Sequence, residues 1–305
     1  MPQSQANIYS STVSIPAPKE FDFKECLKFL GRSNQERLHF IENDKIRKLL
    51  KLYDKKILLE LSCPANNVIK ATFLNSVSED SAKIFIKNYV REWFDLETDL
   101  ALFYKIAAQD NLLKNLVSRF YGLRLIKIHD LFQALCWAIL GQQINLTFAY
   151  TLYRRFIENY GEKSSYENRD YWLFPTSEIV AKLSVAELMK LQFTGKKSEY
   201  IIGLAEQIAA GNLSKESLLE KNDYNEAKNA LVKIRGIGPW TANYVLMRCL
   251  GDPSAFPIED IGLHNAIKLQ LNLKQKPTLE EIRKLAAGWT NWQAYATFYL
   301  YRSLL

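Results

Sequence analysis

Residues 231–244 read Leu-Val-Lys-Ile-Arg-Gly-Ile-Gly-Pro-Trp-Thr-Ala-Asn-Tyr. The spacing of apolar residues before this point predicts a helix over Asn225–Ile234. Gly236 and Gly238 then flank Ile237 and permit a tight turn with nothing projecting from it. Pro239 lacks an amide hydrogen and so suits the first position of a second helix, expected over Pro239–Leu250. Ile237 is expected to point inward and anchor the turn. Such a turn offers backbone N–H groups at a helix N-terminus, an arrangement suited to a phosphate oxygen. It would hold a nucleic-acid backbone without reading its sequence. For a lone Gly-x-Gly, the ordinary alternative is a turn between two helices of any helical protein.

Outward from the turn, the pattern stays helical. From about Leu100 to the C-terminus almost only helical periodicities occur, among them Asp130–Leu140, Leu146–Tyr160, Lys196–Ala210, Ile261–Leu271 and Trp292–Leu304. Short connections between many helices predict a compact all-α unit. The first hundred residues differ. A helical stretch, Phe21–Leu30, ends near Gly31. Three segments read as strands: Arg37–Glu42, Lys56–Leu61 and Val68–Leu74. Ser78 is expected to cap a helix that follows. The fold class expected is therefore α+β, with a frayed tail over 1–12, a small antiparallel α/β domain over 13–104 and an all-α domain over 105–305.

The whole chain has 305 residues, 48% hydrophobic and 24% charged, which supports an ordinary core and excludes wholesale disorder. Its net charge is +7, which permits a polyanionic partner without requiring one. Residues 1–104 hold 15 Lys or Arg against 14 Asp or Glu, and the remainder holds 25 against 19, so a polyanion site is expected in the later two-thirds. Cys26, Cys63, Cys136 and Cys249 are far apart, with no CxxC pair, which argues against a zinc site or an iron–sulfur cluster. They read as reduced thiols in a reducing compartment. No signal peptide and no membrane span are expected.

Flanking motifs sharpen the reading. Upstream stands Phe132-Gln-Ala-Leu-Cys-Trp-Ala-Ile-Leu-Gly-Gln-Gln-Ile144, and downstream Leu250-Gly-Asp-Pro-Ser-Ala-Phe-Pro-Ile-Glu-Asp-Ile-Gly-Leu263. Together with the turn they resemble the helix–hairpin–helix DNA glycosylase superfamily, most closely its bacterial 3-methyladenine DNA glycosylase II type. The resemblance implies a half TATA-binding-protein-like N-terminal domain followed by the helical glycosylase domain. It covers about 290 residues and is strongest in the C-terminal two-thirds.

In this family an aspartate four residues after the loop phenylalanine is catalytic, which here is Asp260 after Phe256. Read without the resemblance, Asp260 is a helix N-cap, and the two roles are compatible. A fixed anion beneath C1′ would stabilise the positive charge that develops as an N-glycosidic bond breaks. Adjacent Glu259 reads as a solvated charge. Bifunctional relatives place a lysine two residues after the second hairpin glycine. Here that position is Trp240, so a one-step hydrolase that leaves an abasic site is expected.

The flipped base needs flat walls. Trp240 and Tyr244 lie four apart on one helical face. The resemblance adds Tyr301, Phe29 and Gln142 as base contacts. Most of the chain's aromatic residues must be core, and each of these has that ordinary alternative. An electron-rich box would favour a cationic base such as 3-methyladenine or 7-methylguanine. Gln143 is the expected wedge into the gap left by the flipped base, with a polar loop turn as its alternative. Gly236, Gly238, Thr241, Lys196, Lys197 and Ser198 are expected DNA contacts, the lysines having a solvated face as theirs. His39, His129 and His264 form no recognisable triad. No cofactor is required. The resemblance implies a monovalent cation, Na+ or K+, on the carbonyls of Val232, Ile234 and Ile237. The expected partners are damaged duplex DNA and downstream abasic-site repair enzymes. The expected state is a cytoplasmic, nucleoid-associated monomer that does not engage a membrane. The alternatives are a glycosylase for another damaged base and a catalytically silent DNA-binding module.

Overall fold

A computed structural model describes residues 11–64, 67–75, 79–221 and 223–305. Ser78 and residues 1–10 of the expected tail lie outside the described residues. The N-terminal part is a five-stranded antiparallel sheet of β1 (Thr12–Pro16), β2 (Phe40–Glu42), β3 (Lys45–Leu52), β4 (Lys55–Ser62) and β5 (Val68–Phe73). Their spatial order is β1-β5-β4-β3-β2. Thr12, assigned to the tail from sequence, instead pairs with Thr72.

Two of these strands escaped the sequence reading. β1 is short and ends in proline, which is tolerated because β1 is an edge strand. β3 breaks the usual alternation. Leu49 faces one side while Ile46, Lys48 and Leu50 face the other, and all four are buried. The Lys48 ammonium donates to the Leu38 carbonyl at 3.1 Å and lies 5.4 Å from the centre of the Trp93 ring. Asn43 and Asp44, at φ 51° and 57°, form the two-residue turn from β2 to β3, the left-handed pair that hairpins favour.

The helix Phe23–Leu30 starts two residues later than expected because Asp22 caps it, accepting from the Glu25 amide at 2.9 Å. Gly31 ends it, as the sequence suggests. From Ala101 onward helices dominate, with one amendment. β6 (Lys163–Tyr166) and β7 (Arg169–Trp172) form a hairpin inside the helical part. It covers the outer face of the N-terminal sheet, where Tyr171 packs with Leu49 and Leu58.

The two parts share one core. The expected boundary at 104/105 falls inside the helix Ala101–Gln109. Phe103 of that helix packs against Trp292, Tyr295 and Tyr299, so the helix belongs with the C-terminal part. Buried Arg302 donates to Glu25 at 2.9 Å across the junction. Phe29 meets Phe298 with ring centres 4.3 Å apart. These contacts place the end of the first helix, Phe29 to Arg32, against the interior of the helical part. All four cysteines are free. No described helix is long and apolar enough to cross a membrane.

Candidate active site

The hairpin helices run over Tyr224–Val232 and Pro239–Val245, and the second continues as a π-helical turn, Leu246–Leu250. Gly236 sits at φ 91°, and a Cβ there would come within 2.3 Å of the Tyr200 ring. The turn therefore requires glycine twice over, for its backbone and for its packing. Gly238 has an ordinary φ, and a Cβ there would meet nothing within 4 Å, so its surface is open for an approaching ligand. Ile237 is buried, and its amide donates to the Ile234 carbonyl at 3.0 Å. Among the described residues, the amides of Gly238, Trp240 and Thr241 have no acceptor in the chain. They are the orphan donors of a helix N-terminus.

Gln142 ties this hairpin to the turn that follows the helix Leu131–Gly141. Its Nε2 donates to the Gly236 carbonyl at 2.9 Å and to Thr241 Oγ1 at 3.0 Å. The side chains of Gln142 and Thr241 thus have structural partners, while the Thr241 amide stays open to a ligand. The Gln142 Nε2 holds the hairpin, and the Thr241 side chain is buried against it. Lys197 is also reassigned. It is buried, and its ammonium donates to the carbonyls of Leu140 at 2.7 Å and Gln142 at 2.8 Å. Burial lowers its pKa from the ordinary 10.5. Ser198 is fully buried and donates to the Thr194 carbonyl. Neither side chain can reach a phosphate from there, whereas Lys196 is exposed. Gln143 is exposed on a left-handed corner at φ 56°, where the chain turns outward.

Asp260 caps the helix Ile261–Gln270, its Oδ1 accepting from the Leu263 amide at 2.9 Å. Its Oδ2 accepts from Trp240 Nε1 at 2.8 Å. The residue read as standing in place of a lysine thus directs its indole N–H at the carboxylate. Trp240 and Tyr244 have ring centres 5.9 Å apart. The Tyr301 hydroxyl is buried without a partner among the described residues. Burial, and after it the charge of Asp260, push its pKa well above the ordinary 10. His264 pins the loop by a 2.7 Å contact to the Ile258 carbonyl and joins no triad. Glu259 is exposed, as expected.

Two residues of the site were missed from sequence. A Cβ on Gly262 would lie 2.8 Å from Asp260 Oδ1 and 3.4 Å from the Tyr301 ring, so this glycine leaves room for the carboxylate. Gly262→Ala should keep the helix, since alanine is the better helix former. It should lower base release by about 10–100-fold by displacing Asp260. Release kinetics beside far-UV circular dichroism would check this; an unchanged rate would show that the carboxylate tolerates the shift. Arg248 is the second, at four residues from Tyr244 on the same face, where a search for aromatic walls passes over a cation.

The carbonyls at the hairpin fit a monovalent cation. Among the described residues, those of Val232 and Ile237 accept no backbone hydrogen bond, and that of Ile234 accepts one from Ile237. Oxygen donors of this kind suit a hard cation.

Residues 136–291 match the family model described as HhH-GPD superfamily base excision DNA repair protein, and residues 14–135 match the 8-oxoguanine DNA glycosylase N-terminal domain. The chain belongs to the HhH-GPD superfamily. Within this superfamily it groups with the DNA-3-methyladenine glycosylases of base excision repair. A DNA-3-methyladenine glycosylase of Bacillus subtilis (strain 168) is 46% identical over 297 residues, covering 97% of this chain and 98% of the relative. The DNA-3-methyladenine glycosylase 2 of Escherichia coli (strain K12) is 29% identical, covering 59% of this chain and 60% of that protein. Among solved structures, a 3-methyladenine DNA-glycosylase from Archaeoglobus fulgidus superposes with a TM-score of 0.83 at 22% identity, covering 95% of this chain and 97% of that one. An 8-oxoguanine glycosylase/lyase from Clostridium acetobutylicum has a TM-score of 0.72 at 20% identity, covering 95% of each chain. At these identities the two structures establish the shared HhH-GPD fold.

Proposed function

We propose that the protein is a monofunctional DNA glycosylase that flips alkylated purines, 3-methyladenine and 7-methylguanine, out of duplex DNA. It hydrolyses the N-glycosidic bond and leaves an abasic site for downstream repair enzymes. The observation that carries this reading is the Trp240–Asp260 contact. A carboxylate held by an indole and a helix amide is fixed at the mouth of an aromatic site, with no amine beside it to form a Schiff base.

In this scheme the hairpin amides and Lys196 hold the phosphate backbone, and Gln143 fills the gap in the stack. The base enters against Trp240, Tyr244 and Tyr301. As the bond from C1′ to the base stretches, positive charge gathers on the sugar, and Asp260 stabilises it. Asp260 also orients the attacking water and takes its proton. A methylated purine is already cationic, so its departure needs little help from a general acid. A bound monovalent cation at Val232, Ile234 and Ile237 would draw those carbonyls together and hold the turn in shape.

A second reading, a glycosylase for another damaged base, is favoured by the match of residues 14–135 to an 8-oxoguanine glycosylase domain. Product analysis on alkylated genomic DNA separates the two. The expected result is release of 3-methyladenine and 7-methylguanine with an intact strand. Strand cleavage with release of 8-oxoguanine alone would overturn the proposal.

A further inference from the structure

Arg248 is buried in the π-helical turn that extends the second hairpin helix. Short π-helical segments often mark functional positions. Its Nε donates to the Ile126 carbonyl at 2.7 Å, and its Nη1 donates to the Tyr244 hydroxyl at 3.1 Å. Among the described residues no carboxylate pairs with it, and its Nη2 has no acceptor. Its guanidinium carbon lies 5.4 Å from the ring centres of Phe29 and Phe298 and 5.7 Å from that of Tyr244. Arg32 stands over the Phe29 ring at 4.2 Å and 5.6 Å from the Tyr150 ring centre.

Of the four aromatic residues expected to wall the base, Phe29 and Tyr244 lie beside the Arg248 guanidinium. Those two rings, which would attract a cationic base, already face guanidinium groups. An arginine remains charged in a protein interior, and a buried charge without a counter-ion is unfavourable on its own. This one keeps Nη2 without an acceptor among the described residues. Trp240, Tyr244 and Arg248 follow one another at four-residue intervals, with Trp240 on Asp260. Helical side chains lean toward the N-terminus, which brings the guanidinium back over the Tyr244 turn. The row thus runs from the reacting carboxylate to a free pair of N–H donors.

We propose that Arg248 is a specificity-determining residue whose Nη2 binds the carbonyl oxygen of a flipped neutral oxopurine and stabilises that base as it departs as an anion. This rests on the reading of the protein as a base-flipping glycosylase and adds a substrate class to it. In the step, the C1′–N9 bond breaks and its electron pair moves onto the base, spreading to the carbonyl oxygen beside Arg248. Water forms the new C1′–O bond and loses a proton through Asp260 to solvent. The departed base takes up a proton from solvent.

The charge argument sets the test. Relative to free enzyme and DNA, a neutral base becomes anionic beside Arg248 in the transition state, whereas a cationic one becomes neutral. Loss of the guanidinium must therefore reduce kcat/KM more for the first. The probes are duplexes carrying hypoxanthine, which has a 6-carbonyl, 3-methyladenine, which has an amino group there, and unsubstituted purine, which has neither. The expected result is that R248M lowers the kcat/KM ratio of hypoxanthine to 3-methyladenine by about tenfold or more, with R248K falling between. Wild-type enzyme should prefer hypoxanthine to purine by about tenfold or more, a comparison that needs no variant to fold. Equal loss on all substrates, or no wild-type preference for the carbonyl, would overturn the role of Arg248 while leaving the proposed activity standing. Failure of the wild type to release any of the three bases would instead remove the reading as an alkylpurine glycosylase, and this inference with it.

Discussion

Asp260→Asn should reduce base release by about 10²–10⁴-fold while affinity for duplex DNA holds or rises. The helix should survive, because asparagine caps as well as aspartate and can still accept from the Leu263 amide. What is lost is the negative charge and the bond to Trp240, since an asparagine nitrogen there would meet the indole N–H as donor against donor. That mismatch costs roughly 1–2 kcal/mol, too little to unfold the chain. Removing an anion from a face that meets phosphates cannot weaken the grip. Single-turnover release and a binding titration on the same duplex would settle the matter. Unchanged turnover would reduce Asp260 to a cap, whereas duplex binding with no base release by the wild type would favour the reading as a catalytically silent DNA-binding module.

The second large effect is expected at Lys197. Replacing it with methionine leaves the Leu140 and Gln142 carbonyls without their ammonium donor. An unsatisfied buried polar group costs roughly 1–3 kcal/mol, so about 2–4 kcal/mol is expected for the pair. That corresponds to a fall in Tm of roughly 5–15 °C for a chain of this size. Gln142 would also lose its fixed position, and with it the brace on Gly236 and Thr241. A lysine that merely touched phosphate would behave otherwise. Its loss would leave Tm unchanged and lower the salt dependence of DNA binding by about one in slope. Thermal melts beside salt titrations of Lys197→Met therefore separate the two roles.

That contrast shows where sequence reasoning stops. The hairpin was legible because glycine and proline carry strict backbone demands, and Gly236 meets them with φ 91° and the Tyr200 ring against it. The pairing of Trp240 with Asp260 was legible as two motif positions, though not as a hydrogen bond. Lys197 was misread because it and Lys196, two basic residues at a helix start, look alike until one folds inward, and Ser198 lies on the same inward face. β3 was missed since Lys45, Arg47, Lys48 and Lys51 break up its apolar residues, and Lys48 finds its carbonyl acceptor only in the tertiary structure. The β6–β7 hairpin was missed because its strands are polar and its turn, Glu167-Asn168, lacks the glycine that usually signals such turns. Arg248 was passed over because burial of a charge depends on what surrounds it, which no local pattern encodes.

The β6–β7 hairpin has a mechanical consequence. It rises from the helical part and lies across the outer face of the sheet, while Phe29 and Glu25 fasten the other side to Phe298 and Arg302. Contacts on both faces of the sheet oppose a jaw-like closure between the two parts. If the protein flips bases as proposed, distortion during the search for damage would fall on the double helix, which would bend and unstack around the clasped body. Base pairs already weakened by a lesion yield most readily to such a body. On the proposed base-flipping reading, the clasp would turn the local softness of DNA into a first filter, acting before any side chain meets the base.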